Sequence, residues 1–423
     1  MKRSILIMLL SALCAFGQAQ TLTLEECYES ARANYPQVRR LQLIERTRAC
    51  NLDNAAKGWL PQLSLSGKAQ LQSDVTKLPI DLRQLGLGSI SIPTPDKDQY
   101  ALSLDLNQTI YDGGAIRSSK DLAGKQADVE REQTEVSLYG LRERVNEFYF
   151  SILLLDEKLR LHHYYMDNLR LAAERIAACV QHGTAVESDA WAVEAEQASA
   201  ERTQVELKGM RAAYVQMLSL LIGKELGAET ELVRPTANFA ETVDNNRPEL
   251  SLFRAQEAHI DARQKQLDTA LRPKLGLFAS GSYGRPGLNL FERDFNFYGV
   301  IGARLTWNFS PLYTRRTDRR LLDIQRETLA ADRETFQLNN DLDAANHRSA
   351  IKRISDQITY DDRIIRLRAD LTKARADKLQ LGTATATDLM RDMNDEQTAR
   401  LDKAYHELQL LQAVYRLKYT KNQ

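Results

Sequence analysis

The sequence contains two similar halves, and this repeat limits the possible folds more than any other feature. Pro36 and Pro61 are 25 residues apart, as are Pro248 and Pro273 in the second half. Proline fits the first turn of a helix and ends a helix elsewhere, so each pair of prolines brackets one helix. A Gly-Thr-Ala sequence also occurs twice in the same order, at 183–185 and at 382–384. Two ordered matches indicate a tandem duplication, with a first repeat over 20–235 and a second over 236–423.

After the bracketed helix, each half changes to strict alternation of apolar and polar residues. Leu102 and Leu104 alternate with Ser103 and Asp105 in the first half, and Leu305 follows Arg304 in the second. Alternation over about ten residues predicts a half-buried strand, and this length also suits a tilted transmembrane β-strand. We therefore predict β-hairpins at about 63–110 and about 274–309. Two hairpins packed on a soluble core are the alternative, but the sequence contains no further strands to complete a sheet.

Each hairpin is followed by a long polar helix with a narrow apolar stripe. Apolar residues recur every three or four positions over about 115–181, which is the heptad pattern of coiled coils. At 1.5 Å per residue, such a helix is roughly 100 Å long. A second stripe of this kind, over about 314–381, contains Ile364, Leu367 and Leu371. Each long helix is followed by a Gly-Thr-Ala turn and a return helix. The fold class is therefore mainly α, with long coiled-coil helices and a pair of membrane β-hairpins.

The first 19 residues have the pattern of a secretory signal peptide. Two basic residues, Lys2 and Arg3, precede a short apolar run, and small residues stand before the expected cleavage site near Ala19. Lipidation of Cys14 is disfavoured, because the residue before it is the large Leu13. Export leaves three cysteines, an odd number that gives no full set of disulfides, and we expect each to pack as a small apolar residue. They are Cys27, Cys50 and Cys179.

Composition and motifs exclude several classes of function. The chain has 57 basic and 57 acidic residues, whereas nucleic-acid binding needs a basic surface. We find no pairing of a nucleophile with a base, no phosphate-binding glycine loop and no zinc-ligand spacing, so we predict no enzyme, no cofactor and no metal. His162 and His163 are expected at a surface or interface. Met390 and Met393 are expected to pack on a helix face rather than bind soft metal ions.

Four strands per chain imply assembly if they lie in a membrane. An open sheet edge in lipid leaves backbone groups unpaired, at a cost of several kcal/mol each. Because about eight strands form the smallest known barrel, several copies of this chain would have to combine their strands.

With this layout, the chain resembles the TolC family of outer-membrane efflux proteins over nearly all of residues 20–423. The resemblance rests on the doubled order of helix, hairpin and long helix, on the paired Gly-Thr-Ala turns, and on the strand exit Gln108-Thr109-Ile110-Tyr111-Asp112-Gly113-Gly114. The second strand exit, Ser310-Pro311-Leu312-Tyr313, departs from this pattern.

The resemblance implies a homotrimer in the cell outer membrane, with a shared twelve-stranded barrel and a long α-helical part in the periplasm. It also implies docking to a periplasmic adaptor (membrane fusion) protein and an inner-membrane pump. The function implied is a passive exit duct for drugs, ions or proteins. The sequence sets neither the cargo nor the pump class, such as RND or ABC. The alternative function is a periplasmic coiled-coil adaptor or scaffold, but such proteins add compact β-rich domains that this chain lacks.

The resemblance also implies a tunnel entrance at the two Gly-Thr-Ala turns. Asp388 matches a family constriction acid, but Arg391 stands where the next acid would be, and Asp392 follows it. Ala384 and Leu379 correspond to the Arg and Tyr that help to lock the entrance in other members. The helix-capping alternative has Ser188 or Thr387 capping the return helices. The predicted turn residues are Gly183, Thr184, Gly382 and Thr383, and the predicted entrance residues are Ser188, Asp189, Asp388 and Asp392.

The strand residues divide into two predicted groups. The polar group is expected to face a water-filled barrel lumen, and the apolar group is expected to face lipid. The lumen group contains Lys68, Asp105 and Arg304, and the lipid-facing group contains Leu102, Leu104, Leu305 and Trp307.

Overall fold

The computed structural model describes residues 21–76, 94–183, 185–227, 229–236, 245–290, 292–381 and 383–422. The predicted signal peptide, with Cys14, lies outside these residues, as do Thr184 and Gly382. The helices and strands, in chain order, are β1 (Thr21–Leu22), α1 (Leu24–Asn34), α2 (Val38–Ala56), β2 (Gln62–Leu71), β3 (Asp98–Tyr111), α3 (Ala115–Tyr139), α4 (Leu141–Gln181), α5 (Glu187–Ile222), β4 (Glu231–Leu232), α6 (Pro248–Thr269), β5 (Lys274–Arg285), β6 (Asn296–Thr306), α7 (Pro311–Gln380) and α8 (Ala386–Lys421).

The predicted fold class, long helices with two pairs of strands, is confirmed. Helix α7 is continuous over 70 residues, or about 105 Å at the rise of an α-helix. The first long helix differs from the prediction, because Gly140 separates α3 from α4. Glycine in a helix interior costs backbone entropy, which explains why the interruption falls there.

The residues form two compact units, and each unit takes segments from both sequence repeats. Unit 1 contains the described residues up to Leu41 together with Gln133–Ser251 and Arg333–Gln423, and unit 2 contains Gln42–Glu132 and Leu252–Asp332. The repeats are thus units of sequence, and the compact units are built across them.

Unit 1 has two apolar clusters. The first joins α1, α4, α5 and α8 around Tyr149, whose side chain is fully buried. The Tyr149 hydroxyl lies 2.9 Å from the carbonyl oxygen of Leu22 and 2.6 Å from that of Val233, so these two acceptors share its single hydrogen. These carbonyls adjoin the short parallel pair β1–β4. The second cluster joins α4, α5, α7 and α8 near the two Gly-Thr-Ala turns.

Unit 2 contains one antiparallel sheet with the strand order β2-β3-β5-β6. The central pair, β3 and β5, joins the two repeats. Ion pairs connect the helices of this unit: Arg48 lies 3.2 Å from Asp128, and Asp268 accepts from both Arg315 and Arg319.

The cysteines only partly follow the prediction. Cys27 is fully buried in the first cluster, and burial raises the pKa of its thiol to about 12. Cys50 is exposed and Cys179 is partly exposed, so these two do not pack as core residues. Both lie on helix surfaces that face solvent. The sequence pattern did not distinguish these surfaces from the surfaces that pack in the core.

Within the described part of the chain, none of the helices combines the length and apolar character needed to cross a membrane.

Candidate functional site

The turn after α4 needs a glycine. Gly183 has a φ of +74°, in the left-handed region that other residues rarely adopt. The Ala185 amide donates to the Cys179 carbonyl at 3.2 Å, and the Gly183 amide donates to the Val180 carbonyl at 3.0 Å. These bonds satisfy two carbonyls at the end of α4 that have no partner within the helix. The positive φ of Gly183 and these bonds explain the glycine at this position.

The second turn repeats part of this arrangement. The Thr383 amide donates to the Lys378 carbonyl at 2.9 Å, and the Thr383 hydroxyl donates to the same oxygen at 3.1 Å. Leu379, just before this turn, is buried in the second apolar cluster. Because both turns border that one cluster, the structure brings them to the same end of unit 1.

The predicted helix caps were wrong by two residues in each case. Thr385, rather than Thr387, is the N-cap of α8, and its hydroxyl accepts from the Asp388 amide at 3.2 Å. Val186, rather than Ser188, precedes α5, and its amide donates to an Asp189 carboxylate oxygen at 3.3 Å. Ser188 is exposed in the first turn of α5. The helices begin earlier than predicted because Asp189 and Asp388 occupy the third helical position, where an acid can reach back to the cap.

The Asp388 carboxylate accepts from the Thr385 hydroxyl at 2.9 Å and the Thr385 amide at 3.4 Å. These hydrogen bonds, with weaker help from Arg375 and Arg391, hold the pKa of Asp388 below its usual value. Arg391 lies 3.6 Å from Asp388, so the residue that replaces the expected acid pairs with its neighbour.

Thr385→Ala is expected to cost about 1 kcal/mol of local stability in the first turn of α8, because the Asp388 amide loses its acceptor. Thr387→Ala is the matched control and should lower the local stability of this turn by much less than Thr385→Ala does. Hydrogen exchange of the amides at the start of α8 measures the difference, and equal exchange in both variants would contradict the cap assignment.

Asp392 does not face open space. It is buried, and its carboxylate accepts from the Arg375 Nε at 2.8 Å. Arg368 and Asp395 form a second pair between the same two helices, at 2.7 Å. The sequence analysis missed both arginines. Their distance from the turn could have revealed them. Residues at similar distances on either side of a turn face one another in an antiparallel helix pair.

A third polar contact at this end of unit 1 was also missed. The Tyr165 hydroxyl lies 2.7 Å from a Glu196 carboxylate oxygen and also contacts the side-chain oxygen of Asn394, so these two acceptors share its single hydrogen. These three residues connect α4, α5 and α8. Burial is the main cause of the raised pKa of Tyr165, and the hydrogen bond to Glu196 adds to it.

His162 differs from its predicted surface or interface position. It is buried, and its Nε2 lies 2.8 Å from the Ala200 carbonyl oxygen, so it makes a contact between α4 and α5 within the chain. His163 is exposed next to Asp167. Met390 and Met393 pack in the second apolar cluster. Among the described residues there is no group of three or more His, Cys, Asp or Glu side chains able to hold a metal ion.

In unit 2, the strand register places the two predicted groups on opposite faces of the sheet. Directly paired residues share a face. Leu65 pairs with Leu104 and Ser64 pairs with Asp105, so these two pairs lie on opposite faces. Across the sheet, Leu275 pairs with Leu305, and Arg304 pairs with Gly276. We call the face with the paired leucines the apolar face, and the face with Asp105 and Arg304 the polar face. Lys68, Asp105 and Arg304 lie on the polar face, and Leu102, Leu104 and Leu305 lie on the apolar face.

The apolar face is open to solvent within this chain. Leu102 is 53% exposed, Leu305 is 70% exposed and Ile301 is 84% exposed. Trp307, just after β6, is 55% exposed; its indole donates to the Leu271 carbonyl at 3.0 Å and its ring lies 4.9 Å from that of Phe309. A contiguous apolar surface of this kind is typical of contact with lipid or another protein.

The fold and these surfaces define a class: proteins that combine a four-stranded sheet of two unlike faces with long paired helices. Residues 27–224 match the family model of the outer membrane efflux proteins. The family resemblance predicted from the sequence is confirmed by this match.

Solved structures share the fold over most of the chain. The outer membrane protein VceC of Vibrio cholerae has 13% identity and a TM-score of 0.67, covering 94% of this chain and 95% of its own. The MtrE outer membrane channel of Neisseria gonorrhoeae, in its open state, has 14% identity and a TM-score of 0.66, covering 94% of this chain and 88% of its own. The CmeC outer membrane channel of Campylobacter jejuni has 13% identity and a TM-score of 0.64, covering 94% of this chain and 85% of its own. No protein of curated function matches the sequence.

Proposed function

We propose that this protein is the outer-membrane exit duct of a tripartite efflux or secretion system. The observation that carries the proposal is the two-faced sheet, which exposes leucines on one side and polar side chains on the other. A strand set of this type suits lipid on one face and water on the other. The family match and the shared fold support the same function.

The sheet has four strands in the described chain, and closure in lipid would require more. We infer that three copies combine their strands into one barrel, as the family resemblance implies. The exposed apolar residues along α7 support contact between copies in the helical part. The chain would then conduct cargo passively, after delivery by a periplasmic adaptor and an inner-membrane pump.

The end of unit 1 with the two turns is the proposed periplasmic entrance. Asp189 and Asp388 are only partly exposed and serve in helix capping. In a symmetric assembly they would still contribute negative charge at this end. Asp392 is buried and paired with Arg375, so we assign it to holding α7 against α8 rather than to the surface of the entrance.

Two neighbouring substitutions test the membrane assignment. Leu104→Lys places a charge on the apolar face, at an expected cost of about 2–4 kcal/mol in lipid. Ser103→Lys is the matched control, because Ser103 lies on the polar face, where it pairs with Ser66 and Ser282. Fractionation of cells that express each full-length variant should show a strong loss of Leu104→Lys from the outer membrane and normal recovery of Ser103→Lys.

Recovery of the unaltered chain in the soluble periplasm would contradict the duct and favour the scaffold alternative. Equal recovery of both lysine variants in the outer membrane would contradict the assignment of the faces. Conductance of the purified chain in planar bilayers gives an independent test of the duct.

A further inference from the structure

The polar face of the sheet carries an excess of positive charge. Four residues within the strands of this face are charged, and three of them are cations. The cations are Lys68 on β2, Lys274 on β5 and Arg304 on β6, and the carboxylate is Asp105 on β3. Each chain therefore has an excess of two positive charges on this face.

These three cations have no ion-pair partner among the residues that the structure describes. Arg285 and Arg293, at the far end of the β5–β6 hairpin, differ in this respect. Arg285 pairs with Asp98, and Asp96 lies 3.9 Å from Arg285 and 4.0 Å from Arg293. Those two arginines thus have acidic partners, whereas the three cations of the polar face have none within the described chain.

A contact with an aromatic ring positions the Arg304 side chain on this face. Its guanidinium lies 4.9 Å from the ring centre of Phe278, at the distance of a cation–π contact. Arg304 and Phe278 line a recess of about 270 Å³ with Ser64, Asn107 and Asp105. Asp105 is the opposing charge in this recess, and it accepts from the Ser66 hydroxyl at 3.4 Å.

The cations are also spread along the strands. Lys68 pairs with Ala101 of β3. Arg304 pairs with Gly276, which in turn pairs with Thr109 of β3, eight residues after Ala101. At about 3.3 Å per residue, Lys68 and Arg304 are separated by roughly 26 Å along the strand direction. A solute that moves along this face would therefore meet positive charge near both ends of its path.

We propose that Lys68, Lys274 and Arg304 make the polar face an anion-attracting surface, so that the barrel favours solutes with carboxylate, sulfonate or phosphate groups. This inference rests on the proposed function, in which the polar face lines the lumen. Three copies would add six net positive charges to one water-filled passage. Unbalanced charge in a narrow passage with low-dielectric walls concentrates ions of opposite sign.

Charge substitutions of opposite sign provide the test. The full chain is placed in planar bilayers of a neutral lipid, and the permeability ratio of chloride to potassium is measured in a KCl gradient. The double variant Lys68→Gln/Arg304→Gln should lower this ratio by about threefold, and Lys274→Gln should lower it further. Asp105→Asn should raise it. The charge-preserving double variant Lys68→Arg/Arg304→Lys is the control and should leave it unchanged.

A conducting channel whose ratio does not respond to the glutamine variants would overturn the inference and leave the duct intact. A ratio that moves in the same direction for Asp105→Asn and for the glutamine variants would also overturn it. The absence of any conductance from the unaltered chain would overturn the proposed function and this inference together.

Discussion

Replacing Ile364 and Leu371 together by aspartate is expected to abolish the proposed trimer. Both side chains are about half exposed within one chain, as are those of Tyr360 and Leu367 in the same stripe on α7. A separate row on this helix, Thr372, Arg375 and Leu379, packs toward α8. The stripe is therefore free to pack against a neighbouring copy.

The size of this effect follows from burial. An aliphatic side chain of this size stabilises an interface by roughly 1.5–3 kcal/mol when fully buried. An unpaired carboxylate at the same place adds a desolvation penalty. In a threefold assembly, each substitution acts three times. The double variant should elute as a monomer in detergent, whereas the unaltered chain is expected to elute as a trimer.

Arg366→Asp is the matched control for this prediction. It introduces the same side chain at an exposed position of the same helix, outside the stripe. It should remain trimeric, which size-exclusion chromatography with light scattering would report. A trimeric double variant would show that copies do not meet along this stripe.

Tyr149→Ala is expected to lower the stability of unit 1 by about 3–5 kcal/mol. The ring is fully buried among α1, α4, α5 and α8, and its removal would leave a cavity between them. The substitution also removes the hydroxyl that donates to the carbonyls of Leu22 and Val233. The midpoint of urea unfolding, followed by helical circular dichroism in detergent, measures the loss.

Tyr149→Phe separates the two contributions. It keeps the ring and removes only the hydroxyl, so it should cost about 1–3 kcal/mol, the penalty for leaving buried acceptors without a donor. If the alanine variant unfolded at nearly the same urea concentration as the unaltered chain, Tyr149 would not be the centre of this core.

The strands were predictable from the sequence because their pattern has a period of two. Strict alternation in Leu102–Asp105 and Arg304–Trp307 assigns each side chain to a face, whatever the partner strand is. The register then places the predicted polar and apolar groups on opposite faces. Which face meets lipid stays a prediction until it is measured.

The helix ends were less predictable, because several residues there are able to cap. Thr383, Thr385 and Thr387 follow one another at every second position, and only the backbone geometry shows that Thr385 is the cap. The pair formed by Arg375 and Asp392 depends on how α7 and α8 align across the turn. Single-sequence patterns do not contain that alignment, so the sequence analysis placed Asp392 at an open entrance.

The first apolar cluster of unit 1 has a consequence for how the chain is made. It contains Leu24 from one end of the chain and Tyr415 from the other, with Val145 and Val215 between them. Contacts between residues so distant in sequence slow folding, because the chain must close large loops to form them. This core cannot close until nearly the whole polypeptide has been synthesised and has crossed the inner membrane. During export, the early helices therefore keep their apolar sides uncovered, and a chain in this state is prone to aggregation.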